Sequence, residues 1–233
     1  MAGETQKRER PDPMERPGTN PQPLLHSHVS GPAPASATPL PLRACLLSGG
    51  ASRRMGRDKA QLPHPEGGSW LERTLRLLAQ LDVPITLLSR HPAHLTLAQE
   101  LADALDLPQL EAIAEPPPWE GPLLALHRLM ERHPGQRLLL CPVDMPALNL
   151  RALTQLTGSD GSDPWQIRLA HDGERLQPLL GIYPSQAGIA RSLSAEISRG
   201  ERRLQTWLRS QTWIEVTLDA KALRNVNHPD GLR

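Results

Sequence analysis

From residue 42 onward, apolar positions along the chain follow two alternating rhythms. Trp70, Leu71, Thr74, Leu75, Leu77, Leu78 and Leu81 recur at helical spacing, which predicts a helix over residues 69–81 with Ser69 as its N-cap. Short unbroken apolar runs predict buried strands instead, at 44–48 (ACLLS), 85–89, 110–114 and 137–143 (RLLLCPV). Between and after them, helices are predicted over 96–105, 122–132 and 150–156. Strands near 165–171 and 178–183, helices at 186–198 and 203–209, and a strand at 213–218 complete the pattern. Strand and helix alternating from 42 to 156 imply an α/β fold, a parallel sheet covered on both faces. Such sheets bind ligands beyond the carboxyl ends of their strands. Chemistry is therefore expected after Ser48, Ser89, Ala114 and Val143.

Before residue 42 the pattern fails. Eight prolines fall between Pro11 and Pro39 among charged and small residues, a composition that cannot offset its ordering entropy by burial. Residues 1–40 are expected to be a disordered, proline-rich tail, and 41–233 a single domain.

The chain has 233 residues, no Phe and one Tyr, so its core must be built from Leu, Ala, Ile and Val. A net charge of +1 offers no basic face and argues against a nucleic-acid partner. No run reaches the roughly 18 apolar residues of a membrane helix, and no apolar signal segment opens the chain. A soluble, cytoplasmic protein with no membrane partner is expected. Cys45 and Cys141 lie in separate apolar runs, with no CxxC pair or Cys/His cluster, and are expected to be buried thiols. His91 and His94 stand close together without a third ligand, and a solvated loop is expected there.

The stretch after the first strand carries the most chemistry: Leu47-Ser48-Gly49-Gly50-Ala51-Ser52-Arg53-Arg54-Met55-Gly56-Arg57-Asp58-Lys59. Glycines directly after a strand let backbone N–H groups approach a ligand and form an anion-binding concavity. Arg53, Arg54, Arg57 and Lys59 add four cations, suited to a triphosphate and to charge developing on a leaving pyrophosphate. The stretch is neither a Walker A loop nor a GxGxxG fingerprint. Asp144 ends another predicted strand, and a buried-end carboxylate needs a partner or a metal. From the residues alone, Asp144 suits either a Mg²⁺ ligand facing phosphates or the N-cap of the next helix.

Leu-x-Gly-Gly-x-Ser-x-Arg-Met-Gly-x-Asp-Lys, as it stands at 47–59, closely resembles the signature of the molybdenum cofactor guanylyltransferases, the MobA family. The resemblance runs from about residue 42 to 232 with its motifs in order. It implies a Rossmann-like three-layer sandwich of nucleotidyltransferase type. It also implies transfer of GMP from GTP to molybdopterin with Mg²⁺ and release of pyrophosphate. On it, Leu47, Ser48, Gly49, Gly50, Lys59, Glu115 and Asp144 become nucleotide-binding residues. Arg54, Lys59 and Asp144 become the catalytic set.

Cys141-Pro142-Val143-Asp144-Met145-Pro146 resembles the family's Cys-Pro-x-Asp-x-Pro, whose aspartate binds metal and nucleotide. Glu115 stands where the family has an aspartate, and Ala125 replaces the last glycine of Gly-Pro-Leu-Ala-Gly. The asparagine that several members carry at the end of the second strand has no counterpart in Leu87–His91. These departures fall on the base side of the site. His171-Asp172-Gly173 through Gln177-Pro178 reads as a hairpin, and resembles the family's pterin-side segment. Gly200-Glu201-Arg202-Arg203 resembles a motif that opens a helix, and Asn225-Val226-Asn227 resembles the terminal Asn-x-Asn. Asp172, Gln177 and Asn225 are thus acceptor-side candidates. Asn227 is either a second metal ligand or a helix cap. Two other readings stay open: a related enzyme using CTP or another acceptor, or a non-catalytic protein delivering cofactor to molybdoenzymes or cofactor chaperones.

Overall fold

A computed structural model describes residues 40–50, 58–158 and 163–225. Residues 1–39 of the expected 1–40 tail, together with Arg54 and Asn227, lie outside the described residues.

Strand β1 (Leu42–Leu47) is followed by a 3₁₀ turn (Lys59–Gln61) and helix α1 (Trp70–Ala79). Next come β2 (Ile85–Ser89), α2 (Pro92–Ala104), β3 (Leu110–Ala114), α3 (Pro122–Arg132), β4 (Arg137–Pro142) and α4 (Leu150–Thr157). The chain continues through β5 (Ile167–His171), β6 (Leu176–Pro184), α5 (Ala187–Ser198), α6 (Leu204–Leu208) and β7 (Trp213–Thr217). The strands form one sheet in the order β3-β2-β1-β4-β6-β5-β7. All adjacent pairs are parallel except those that β6 makes with β4 and β5. The expected α/β sandwich, mostly parallel with helices on both faces, is what forms.

Side-chain alternation along the strands divides the core in two. Ala44 and Leu46 of β1 and Leu87 of β2 pack with α1, α2 and α4. Cys45 and Leu88 point the other way, into a second core with α3, α5 and α6. Both cysteines are fully buried, and burial pushes each thiol up to about 12.

Of three helix starts, two fall where expected and one moves, each for a local reason. Helix α1 does start after Ser69, whose hydroxyl accepts from the Glu72 amide at 3.1 Å. Helix α2 starts at Pro92, four residues before the predicted 96, because proline at the first helical position is pre-set for the helix. His94 therefore lies in the first turn of α2 and is 1 % exposed. The expected solvated loop is wrong, since a ring whose two nitrogens both find partners can be buried. Helix α4 is capped by Asn149, whose Oδ1 accepts from the Ala152 amide at 3.0 Å. That removes the N-cap alternative for Asp144, five residues upstream.

The topology places the site. The chain runs outward from β1 to β3, then returns to lay β4 against the other side of β1. The strand order reverses between β1 and β4, and there the loops leaving the two strands diverge and open a crevice. Leu47 is paired with Pro142 across that junction, so Ser48–Gly50 and Asp144 leave the sheet side by side.

Candidate active site

The cleft at this switch point has a cavity of about 360 Å³, lined by Ser48–Gly50, Asp58, Lys59, Glu115 and Asp144 among others. They come from four separate turns, Asp58 and Lys59 from the same one. Asp58 caps the 3₁₀ turn through Oδ1, which accepts from the Ala60 amide at 3.0 Å. The turn presents Lys59, whose Nζ lies 3.0 Å from Asp144 Oδ2. Both side chains are mostly buried, at 15 % and 24 % exposure, so the pair is partly desolvated.

Glu115 follows β3. Its amide donates to Ser89 O at 2.8 Å, which extends the parallel ladder, and its Oε1 accepts from Arg128 Nη1 at 2.9 Å. Burial pushes its carboxyl above the ordinary glutamate value, against the opposing pull of Arg128 and then Arg90. Its other oxygen reaches the glycine turn: a Cβ added at Gly49 would sit 2.8 Å from Glu115 Oε2. A larger residue at Gly49 would displace the Glu115 carboxylate. At Gly50 an added Cβ meets no described atom within 4 Å, so packing makes no such demand there.

Ser48 is 3 % exposed, and its hydroxyl lies 3.0 Å from His94 Nδ1. Its backbone amide donates to Leu88 O, and its carbonyl accepts from Ser89 Oγ at 2.8 Å. The hydroxyl of Ser48 is thus engaged inside the protein, while Gly49 and Gly50 form the cavity floor.

Trp119 and Arg90 are among the cavity residues that escaped the sequence reading, as is Asp58. Among the described residues, Trp119 is the large hydrophobic side chain left exposed, at 51 %, and its indole N–H donates to Glu115 O at 2.9 Å. The Arg90 guanidinium lies 5.3 Å from the centre of that ring, within cation–π range. The proline run before Trp119 and the strand-end position of Arg90 were the available signals.

A second cavity, of about 470 Å³, lies at the same edge of the sheet. Asp172 sits in the β5–β6 turn. Its Oδ1 accepts from the amides of Glu174 and Arg175 at 2.9 and 2.7 Å. Its Oδ2 accepts from Gln177 Nε2 at 2.9 Å, and Gln177 Oε1 accepts from Asn225 Nδ2 at 3.2 Å. The three residues assigned to the acceptor side are therefore brought together by hydrogen bonds. The backbone amides hold the Asp172 carboxyl below its ordinary value. Arg175, Lys221 and Arg224 add positive charge to the lining. The Gly200–Arg203 segment does lead into α6, and Arg202 Nε reaches Glu120 Oε2 at 2.5 Å, beside the start of α3.

Among the described residues, no three His, Cys, Asp or Glu side chains cluster to hold a metal ion. None of the described helices is long and apolar enough to cross a membrane.

Fold and cleft together define a doubly wound α/β protein with its binding crevice at the switch point of the sheet. Residues 44–216 match the model of the MobA-like NTP transferase domain, and the chain belongs to that family. A Rhodopirellula baltica protein named "Probable molybdenum cofactor guanylyltransferase" is 35 % identical over 205 residues, which cover 84 % of this chain and 92 % of that protein. The Mycobacterium tuberculosis protein of the same name is 30 % identical over 200 residues, covering 83 % and 92 %. Among solved structures, molybdopterin-guanine dinucleotide biosynthesis protein A of Archaeoglobus fulgidus is similar at a TM-score of 0.61 and 19 % identity, covering 82 % of this chain and 94 % of that one. The 4-diphosphocytidyl-2C-methyl-D-erythritol synthase of Anaerococcus prevotii is similar at 0.66 and 8 % identity, covering 84 % and 96 %. These two likenesses concern the fold.

Proposed function

We propose that the protein transfers GMP from GTP to molybdopterin in the cytoplasm, releasing pyrophosphate and forming the guanine dinucleotide form of the cofactor. The Lys59–Asp144 pair, set against the Gly49–Gly50 turn in one cavity, carries this reading. Support for the substrates comes from the names of relatives that align over most of the chain.

In this reaction an oxygen of the molybdopterin phosphate attacks the α-phosphorus of GTP. A new P–O bond forms, and the bond to the bridging oxygen between the α- and β-phosphorus breaks, with its electron pair leaving on pyrophosphate. The protein supplies position and fixed charge, not a covalent intermediate. Backbone N–H groups of Gly49 and Gly50 cradle phosphate oxygens. Lys59 and Arg54 offset charge on the departing pyrophosphate. Glu115 binds on the nucleoside side, and Asp172, Gln177 and Asn225 line the acceptor's side. Molybdoenzymes or cofactor chaperones then receive the product.

The donor set fits Mg²⁺. Asp144 offers a hard oxygen beside the phosphate cradle, and Mg²⁺ commonly takes one or two carboxylates with substrate phosphates and water. Asp144, with Asn227 as a second donor, would hold the ion. It would supply neutralisation of phosphate charge.

The test is GMP transfer to molybdopterin, followed as pyrophosphate release with and without Mg²⁺. Transfer that needs GTP, acceptor and Mg²⁺ together is expected. A second reading draws on the base side, where Arg90 over Trp119 and the longer Glu115 replace the family's pattern. If CTP outperforms GTP and ATP in the same assay, the protein is a cytidylyltransferase instead.

A further inference from the structure

His94 has a task that its burial alone does not explain. An apolar side chain would fill the same space without needing partners. Instead the imidazole joins two stretches of chain ten residues apart. On one side, Nδ1 lies 3.0 Å from Ser48 Oγ, 2.9 Å from Ser48 O and 2.9 Å from Ser89 Oγ. On the other, Nε2 lies 2.6 Å from Asp58 Oδ2.

The carboxylate of Asp58 fixes one end of the ring, and Ser48 and Ser89 hold the other. A carboxylate only accepts, so Nε2 carries a hydrogen and donates it to Asp58. Nδ1 meets the hydroxyl and carbonyl oxygens of Ser48 and the hydroxyl of Ser89, while the Ser89 hydroxyl donates to Ser48 O. Ser89 Oγ also accepts the His91 amide at 3.1 Å, which locks the β2–α2 junction from which His94 projects. The ring is therefore held by the sheet and in turn holds Asp58.

What Asp58 holds is the turn that carries half of the Lys59–Asp144 ion pair. Its second oxygen caps the 3₁₀ turn at Ala60, and that turn presents Lys59 to Asp144. His94 thus connects the glycine floor, through Ser48, to the lysine, through Asp58.

We propose that His94 is a positioning residue, which ties Ser48 to Asp58 and so sets Lys59 at its distance from Asp144 and the phosphate cradle. The effect on catalysis rests on this cleft being the nucleotide site. The mechanical link does not.

Full-length His94→Asn and His94→Gln variants separate the two halves of the tie. The Asn amide reaches the Nδ1 position and loses Asp58, whereas the longer Gln amide reaches the Nε2 position and keeps a donor for Asp58. Displacing a charged group by about 1 Å can cost roughly 10²-fold. His94→Asn is expected to lower kcat for GMP transfer by roughly that factor, with the KM for molybdopterin unchanged. His94→Gln is expected to recover most of the rate. Amide hydrogen exchange in a peptide spanning residues 58–62 should be faster in His94→Asn than in wild type, with exchange in β4 unaltered. Asp58→Asn breaks the same bond from the solvent side, since its oxygen caps Ala60 and its NH₂ then faces Nε2–H. It should reproduce both effects even if His94→Asn does not fold. A folded His94→Asn or Asp58→Asn with wild-type kcat and wild-type exchange over 58–62 would overturn the proposal. Equal rate losses in His94→Asn and His94→Gln with unchanged exchange would also overturn it, leaving His94 a packing residue. If the wild type transfers no GMP, the exchange result still decides whether the tie exists, and only the assignment of the cleft fails.

Discussion

The two cavities at the carboxyl edge of the sheet are held in different ways. The one between β1 and β4 draws on residues far apart in the chain, Ser48, Lys59, His94, Glu115 and Asp144, and fixes them through buried or partly buried contacts. The one beside β5 and β7 is organised around a local turn at Asp172 and an exposed link from Gln177 to Asn225. Buried polar contacts in low dielectric are costly to leave half-made, so the first cavity should respond sharply to single substitutions. Contacts exchanged with water on the second side should give shallower effects.

The sharpest break in that comparison is Asp144→Ala. It should lower pyrophosphate release at saturating GTP by roughly 10³-fold in a protein that still folds. Lys59→Ala should follow closely. Wild-type transfer by Asp144→Ala would remove the metal role from this carboxylate. Gly49→Ala comes next, because its Cβ would meet Glu115 Oε2 at 2.8 Å and push it off the cavity wall. A tenfold rise in the KM for GTP, about 1.4 kcal/mol, is expected from steady-state kinetics. On the other side, Asp172→Ala should raise the KM for molybdopterin by less than about tenfold and leave GTP binding alone, since two of the three bonds it removes are solvent-exposed. An effect as large as that of Asp144→Ala would show that the second cavity takes part in the chemistry.

Acid separates the halves more gently. Burial raises the Glu115 carboxyl, whereas backbone amides lower that of Asp172. As pH falls, Glu115 takes up a proton first, so the KM for GTP should change before the KM for molybdopterin in a pH series. The stability signs are opposite. The folded chain binds the Glu115 proton more tightly than the unfolded chain, so that contribution is present at low pH and lost as pH rises through the folded value. The Asp172 contribution is present above the unfolded value and lost as pH falls through the lowered one. The smallest expected effect is a control outside both cavities. Ser69→Ala removes the cap of α1 and should cost about 1 kcal/mol in denaturant unfolding, with neither KM changed.

The fold was largely legible because its signals are local. Period and punctuation located every described strand and α-helix to within a few residues, and the glycine turn after β1 marks the cleft in the sequence itself. The α2 boundary failed because His-Pro reads as a break, while proline at the first helical position in fact starts the helix. The misplacement of His94 follows from the same error. Trp119 and Arg90 were missed because their meaning lies in a contact between β2 and the segment after β3, which no spacing encodes.

Residue order alone, then, determined the alternation of elements, the existence of a cationic glycine turn and the presence of a carboxylate at a second strand end. These follow from side-chain period and backbone freedom, which act over a few residues. Tertiary structure alone decided that Asp144 faces Lys59 and does not cap a helix, and that the Ser48 hydroxyl turns to His94. It also decided that Asp172, Gln177 and Asn225 form one chain of contacts. Those outcomes depend on the order of strands in the sheet. Because β4 returns beside β1, residues nearly a hundred positions apart meet at one edge, and only there do their charges acquire partners.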